Sequence, residues 1–379
     1  MPFEEIRRLQ FVLGMIDRNV RRVLVCVRYG IGDVVMELPV LEALRRALPW
    51  ARITALGARP ATQLLDRSPY VDEVIDLNRW GFSHRWDPGP PEAPEAIVAW
   101  MDEHAFDLVL NVSNVTSGFG KLLAQYPVAK VESSRDAEQA AIGRGESGAA
   151  AIREGVRAGW GIDTDRGRLP QISLASDDRA YADDLLRRIR LGEQRPFAIS
   201  PVASAELKRW PLERLARIAD ELVDHADQPL LAFCGPDFAA GEELRRLMRR
   251  SDSAELVGPL HLLRTAALLE RCRAFVCNDT GLMHMAASLG VPTLAIFGPT
   301  QPSIYRPPGD VVVTLDPSAV ECAYRGTTSL HPPLCLVRRH CLVECGPCIE
   351  HVSEATARRT LRWLLNGLHE DQAVNGAVA

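Results

Sequence analysis

From Arg22 onward the chain alternates short β-branched runs with amphipathic stretches, and few folds accept that pattern. RVLVCV is followed by VVMELPVLEALRRAL, whose apolar residues fall at helical spacing, and then by RITALG, ATQLLDR and EVIDL. Period-two runs alternating with period-3.6 runs build βαβ units around a parallel sheet. A Trp-, Pro- and Gly-rich stretch over 78–94 reads as a loop. Beyond it come a helix around 96–104, the strand FDLVLNV and a helix near 120–125. A second series opens with FAISPVA at 197 and runs through PLERLARIADELVDHA, PLLAFCGP, GEELRRLMRR, AELVGP, LLRTAALLERC, AFVCNDTG and PTLAIFGPT.

Two doubly wound α/β domains follow. The expected division is an amphipathic extension over 1–21, a first domain over 22–185, a second over 190–352, and a terminal helix over 353–370 that packs back on the body. The junction is expected near 175–195, between the strands QISL and FAIS, with a ligand between the domains at the carboxyl ends of the strands. The small, polar stretch SSRDAEQAAIGRGESGAA over 133–150 reads as a mobile or partner-facing loop.

Forty-four basic residues against 49 acidic ones leave a net charge of -5, which excludes a surface built to coat nucleic acid. No apolar run approaches the roughly 20 residues of a membrane-spanning helix. Residues 1–22 carry Glu4, Glu5, Arg7, Arg8 and Asp17 without the unbroken apolar core of a secretory signal, so the expected location is the cytoplasm. The amphipathic opening could still cover an apolar patch, seat another subunit or rest on the inner face of a membrane.

Three turns at strand ends have the composition of anion sites. The first strand runs into Tyr29-Gly30-Ile31-Gly32-Asp33. Val35 stands where a dinucleotide fingerprint needs glycine, and the Gly-Lys-Ser/Thr of a Walker loop is absent. What remains is a glycine turn presenting one carboxylate, Asp33, which could serve chemistry or merely cap its helix. The second turn spans Ser200 to Ser204 and continues through Lys208-Arg209-Trp210-Pro211 to a helix, so that a cation meets a helix N-terminus. The third is Asn278-Asp279-Thr280-Gly281, with His284 one turn into the next helix. Its free N–H groups could hold a diphosphate, or Asp279 could cap and His284 pack in the core.

The runs GIGDVVMELPVLEALRRALP, KRWP and NDTGLMHMAASLGVPTLAIFGPTQP resemble the heptosyltransferase family of glycosyltransferases, over about 22–315. The resemblance implies two facing Rossmann-like domains of the GT-B type and an inverting, metal-independent transfer of heptose from ADP-heptose to a lipopolysaccharide inner-core acceptor. A protein or other glycan acceptor, or donor binding without turnover, are the alternatives. It further implies Asp33 as catalytic base, with Gly30 and Gly32 on the acceptor side, and Lys208 beside the leaving phosphate. The donor site would include Ser200, Ser204, Gly235, Asp237, Asp279, Thr280, Gly281 and His284, with Glu242 and Glu243 as rivals of Asp237 for the ribose. Val202 stands where similar proteins have glycine, which holds the backbone back from a phosphate.

Nine cysteines in a chain read as cytoplasmic argue against a disulfide framework. Five lie within 322–348, and Cys335, Cys341, Cys345 and Cys348 have the density of a structural Zn or Fe site, though buried thiols in a core are the common alternative.

Overall fold

The computed structural model describes residues 20–80, 94–112, 129–165, 169–191, 195–317, 320, 322, 333–344 and 346–376. The amphipathic opening up to residue 19, the 120–125 helix and Cys345 lie outside them. The chain forms two compact units that divide between Ala175 and Ser176, so the helix Ser176–Arg188 belongs to the second.

The first unit is built on a five-stranded parallel sheet of order β3-β2-β1-β4-β5. Its strands are β1 (Arg22–Cys26), β2 (Arg52–Gly57), β3 (Glu73–Asp76), β4 (Leu108–Asn111) and β5 (Ala129–Glu132). Val23 pairs with Ile53 on one side and Leu108 on the other, so β1 is central and buried on both faces. The order reverses beside β1, since β2 and β3 extend the sheet one way and β4 and β5 the other. Ligands of open α/β sheets bind at such a reversal, beyond the carboxyl ends of the strands. The turn that carries Asp33 leaves β1 there.

The helix Ile31–Ala47 buries ten residues between Val34 and Leu44, Glu37 and Pro39 among them. An aromatic cluster of Trp80, Trp100 and Phe106 closes the other face with Ile97 and Met101.

The structure corrects the sequence reading at three places in this unit. The stretch over 133–150 is not a loop: it holds the helix Arg135–Gly143 and the start of the helix Gly148–Trp160. Ser134 and Ser147 cap the two helices by accepting from Ala137 N and Ala150 N, and the small residues that obscured the period let the helices pack closely. ATQLLDR makes only a 3-10 turn, Ala61–Leu65, and QISL forms no strand.

The second unit has a six-stranded parallel sheet of order β11-β10-β9-β6-β7-β8. The strands are β6 (Phe197–Ser200), β7 (Leu230–Phe233), β8 (Ala254–Val257), β9 (Ala274–Asn278), β10 (Thr293–Ile296) and β11 (Val312–Leu315). Here the order reverses between β6 and β9, whose registered pair Ser200 and Cys277 brings both strand ends together. The terminal helix Glu354–Gly376 packs on this unit, placing Ala357, Leu361 and Leu365 in one core with Trp210, Ile218 and Leu222. Arg358 and Arg362 both donate to Glu221 on the helix Leu212–Ala226.

Candidate active site

The loops that leave β6 and β9 meet because their strands are neighbours at the reversal. The first closes in the 3-10 turn Glu206–Lys208, and Lys208 is buried. Its Nζ donates to Asp279 Oδ2 at 2.6 Å, just past the end of β9, and the same oxygen accepts from Thr300 Oγ1 at 2.6 Å. Asp279 and Thr300 are buried as well. Burial alone would raise the Asp279 pKa, but the Lys208 ammonium, its hydrogen bond and that of Thr300 hold it below the usual carboxylate range. Asp279 is therefore ionised, and it holds the Lys208 side chain in place. Trp210 N donates to Asn278 Oδ1 at 2.9 Å, which pins the loop a second time.

The helix Gly281–Ser288 begins directly after this pair. Thr280 is its N-cap residue but makes no side-chain capping bond. The first N–H groups of any helix lack intrahelical partners, so Thr280, Gly281 and Leu282 present donors beside a buried ammonium. His284 is buried on the next turn, within electrostatic reach of Asp279. Of the other expected donor residues, Ser204 is exposed in the β6 loop, whereas Ser200 is fully buried and its hydroxyl donates to Phe233 O at 2.9 Å. Ser200 thus has no surface to offer a ligand.

Gly235 follows β7 with φ +56, in the left-handed region, and Gly258 approaches it so closely that a Cβ at 258 would lie 2.9 Å from Gly235 N. Asp237 caps the next helix by accepting from Ala240 N and pairs with Arg209 Nη2 at 3.0 Å. Glu242 and Glu243 lie further along that helix and pair with Arg245 and Arg246. Of the three carboxylates only Asp237 stands at the strand end, tied to the residue after Lys208.

In the first unit Gly30 is the N-cap residue of the helix Ile31–Ala47, Gly32 its second residue and Asp33 its third. Asp33 is half-buried, and its carboxylate folds back over Gly30: a Cβ there would lie 2.2 Å from Asp33 Oδ2. Gly30 has ordinary extended geometry, φ -83 and ψ 147, so space and not backbone freedom explains the glycine. Among the described residues no hydrogen bond is made to the Asp33 carboxylate.

Several neighbours escaped the sequence reading. Thr300 lay in the quoted FGPT run without a role. Arg28, which precedes the glycine turn, bonds Glu138 from the segment read as a loop and Glu37 from the middle of the helix.

Among the described residues, which leave out Cys345 of the expected set Cys335, Cys341, Cys345 and Cys348, no group of three His, Cys, Asp or Glu could hold an ion. Cys341 Sγ donates to Gly346 O, and Cys348 is buried in the 3-10 turn Cys348–His351. Burial pushes the Cys335 thiol up, with Cys322 and Cys341 adding to the effect. No described helix is long and apolar enough to cross a membrane.

Two parallel sheets, each with its polar turns at the reversal of strand order, are the architecture of GT-B glycosyltransferases. The family model of glycosyltransferase family 9 (heptosyltransferase) matches residues 118–325, and the chain belongs to that family. Over 314 residues it is 26% identical to lipopolysaccharide heptosyltransferase 2 of Salmonella typhimurium, covering 76% of this chain and 85% of the relative. With lipopolysaccharide heptosyltransferase 2 of Escherichia coli K12 it shares 32% identity over 145 residues, 37% of this chain and 40% of the relative's length. Its fold matches the crystal structure of a family 9 glycosyl transferase from Veillonella parvula with a TM-score of 0.69 at 21% identity, over 92% of this chain and 98% of that one.

Proposed function

We propose that the protein transfers heptose from ADP-heptose to an acceptor of the lipopolysaccharide inner core, with inversion and at the inner face of the cytoplasmic membrane. The first unit would take the acceptor and the second the donor. The observation that carries this is the buried Lys208 held on Asp279 and Thr300 beside the open N–H groups of the helix Gly281–Ser288. A cation and aligned backbone donors at one point fit a diphosphate, and they act most strongly as negative charge builds on it.

Asp33 has the complementary role. An acceptor hydroxyl gives its proton to the Asp33 carboxylate as its oxygen attacks the anomeric carbon, and the bond from that carbon to the diphosphate breaks on the opposite face. The electron pair leaves with ADP, where Lys208 and the N–H groups of Thr280, Gly281 and Leu282 receive the charge. Asp237, fixed at the β7 end by Arg209, is the carboxylate proposed for the nucleotide ribose. No step is routed through a metal, and the cysteines over 322–348 stand outside the chemistry.

The test is incubation of the full chain with a panel of sugar nucleotides and with core-oligosaccharide or peptide acceptors. Labelled heptose in the oligosaccharide, with release of ADP, is the expected result. Label in the peptide would overturn the acceptor, and donor binding without any transfer would overturn turnover itself.

A further inference from the structure

Arg28 leaves the end of β1 and is the hub of a buried charged cluster that the proposed reaction does not use. Its Nη2 donates to both carboxylate oxygens of Glu138, at 3.0 and 3.1 Å, and its Nε to Val112 O at 3.3 Å, beyond β4. Its backbone N–H donates to Glu37 Oε2 at 3.1 Å, one helical turn past Asp33, and Nε lies 3.6 Å from Glu37 Oε1. Ser133 Oγ, past the end of β5, donates to Glu138 at 3.1 Å. The side chains of Glu37 and Glu138 are almost wholly buried. Gly155 makes the room: a Cβ there would stand 2.4 Å from Glu138 Cγ.

Arg28 thus ties the chain leaving β1 to the chain beyond β4, to the helix Arg135–Gly143 through Glu138 and to the helix that begins at Ile31 through Glu37, the helix whose first turn presents Asp33. A buried ion cluster is a poor stabiliser, because apolar residues of the same volume would join these segments as firmly. What it adds is fixed direction and fixed charge, and Asp33 lies within electrostatic reach of both Arg28 and Glu37. We propose that Arg28, clamped by Glu37 and Glu138, is the positioning residue of the proton-accepting carboxylate Asp33. The inference rests on the role of Asp33 as base. Asp33, Glu37 and Glu138 are the titratable groups that face Arg28.

The test uses Arg28→Met, Arg28→Lys and Asp33→Asn in the full chain, with kcat and KM for ADP-heptose, ADP-heptose binding and thermal denaturation. Arg28→Met should lower kcat by roughly 10²-fold while KM for ADP-heptose stays at the parental value, because the base loses the group that fixes its direction. Arg28→Lys keeps the charge but not the fork, so kcat falls about tenfold. Donor binding is unchanged in both, since its residues belong to the other unit. A packing role alone would lower the melting temperature and leave kcat per folded molecule at the parental value, which overturns the proposal. If Arg28→Met does not fold, Arg28→Lys decides, and parental kcat there overturns it. Full turnover in Asp33→Asn would instead remove the base assignment, whereas an inactive Asp33→Asn beside a parental Arg28→Lys overturns the positioning role alone.

Discussion

Lys208 and Asp279 stand 71 residues apart in the chain and 2.6 Å apart in the fold, each buried and each the other's counter-charge. Neither is a solvated surface charge. The carboxylate that the sequence placed among the ligand-binding groups spends one oxygen on holding the cation.

Asp279→Asn should therefore act first on stability. Removing one member of a buried pair strands the other and costs about 3–5 kcal/mol. The folded pKa of Asp279 is depressed, so its stabilisation is present above the ordinary carboxylate range and is lost as the pH falls through the folded value. Denaturation curves at neutral pH and near pH ~3 should show a wide gap between parent and variant at the first and a narrower one at the second. Thr300→Val, which removes one hydrogen bond to the same oxygen, should cost about 1–2 kcal/mol, with Thr300→Ser close to the parent.

Lys208→Arg should lose most of the turnover. The cavity beside Asp279 holds a compact ammonium, and a planar guanidinium cannot take its place without moving Asp279 or Thr300. The chain carries only three lysines among its 44 basic residues, so lysine at this point is not compositional habit. Steady-state rates at saturating ADP-heptose check this, and a Lys208→Arg variant as fast as the parent would show that charge alone matters.

Gly30→Ala should be mild for the fold and severe for the chemistry. The backbone at 30 suits alanine, but the new Cβ would occupy the place of Asp33 Oδ2. The flexible carboxylate yields, so the melting temperature should hardly move while kcat falls roughly tenfold or more, as for a displaced base.

Glu37→Gln should remove a pH dependence from the stability of the first unit. Burial, opposed in part by Arg28, pushes the Glu37 pKa up to about 8. With a raised folded value, its contribution is full below the ordinary carboxylate range and is lost as the pH rises towards about 8. Denaturation midpoints of the parent should fall across that window relative to those of Glu37→Gln.

The two sheets were legible because strand and helix periods alternate cleanly, and the second half of the chain is nearly all short αβ connections. The glycine turn, KRWP and NDTG were legible as motifs at strand ends. Their pairing was not: only the neighbouring of β6 and β9 at the reversal joins Lys208 to Asp279, and strand order is not written locally. Ser200 illustrates the reverse. It stands at a strand end like the others, yet its hydroxyl is taken by Phe233 of the adjacent strand. Glu138 was missed because its helix Arg135–Gly143 is short and has Ile142 as its one large apolar residue, although the capping serine 134 was visible.

The lysine turn is also braced from behind by a distant part of the chain. Trp210 Nε1 donates to Val352 O, 142 residues later, Arg214 donates to Glu350 O and Val352 O, and only a glycine at 298 leaves room for Ile349. For a polypeptide emerging from the ribosome, the last strand of the second sheet is made by Leu315, but the indole N–H of Trp210 still has no acceptor. The half-site proposed for the nucleotide is finished only when residues near 350 arrive, so a nascent or prematurely ended chain can own both sheets without owning the enzyme.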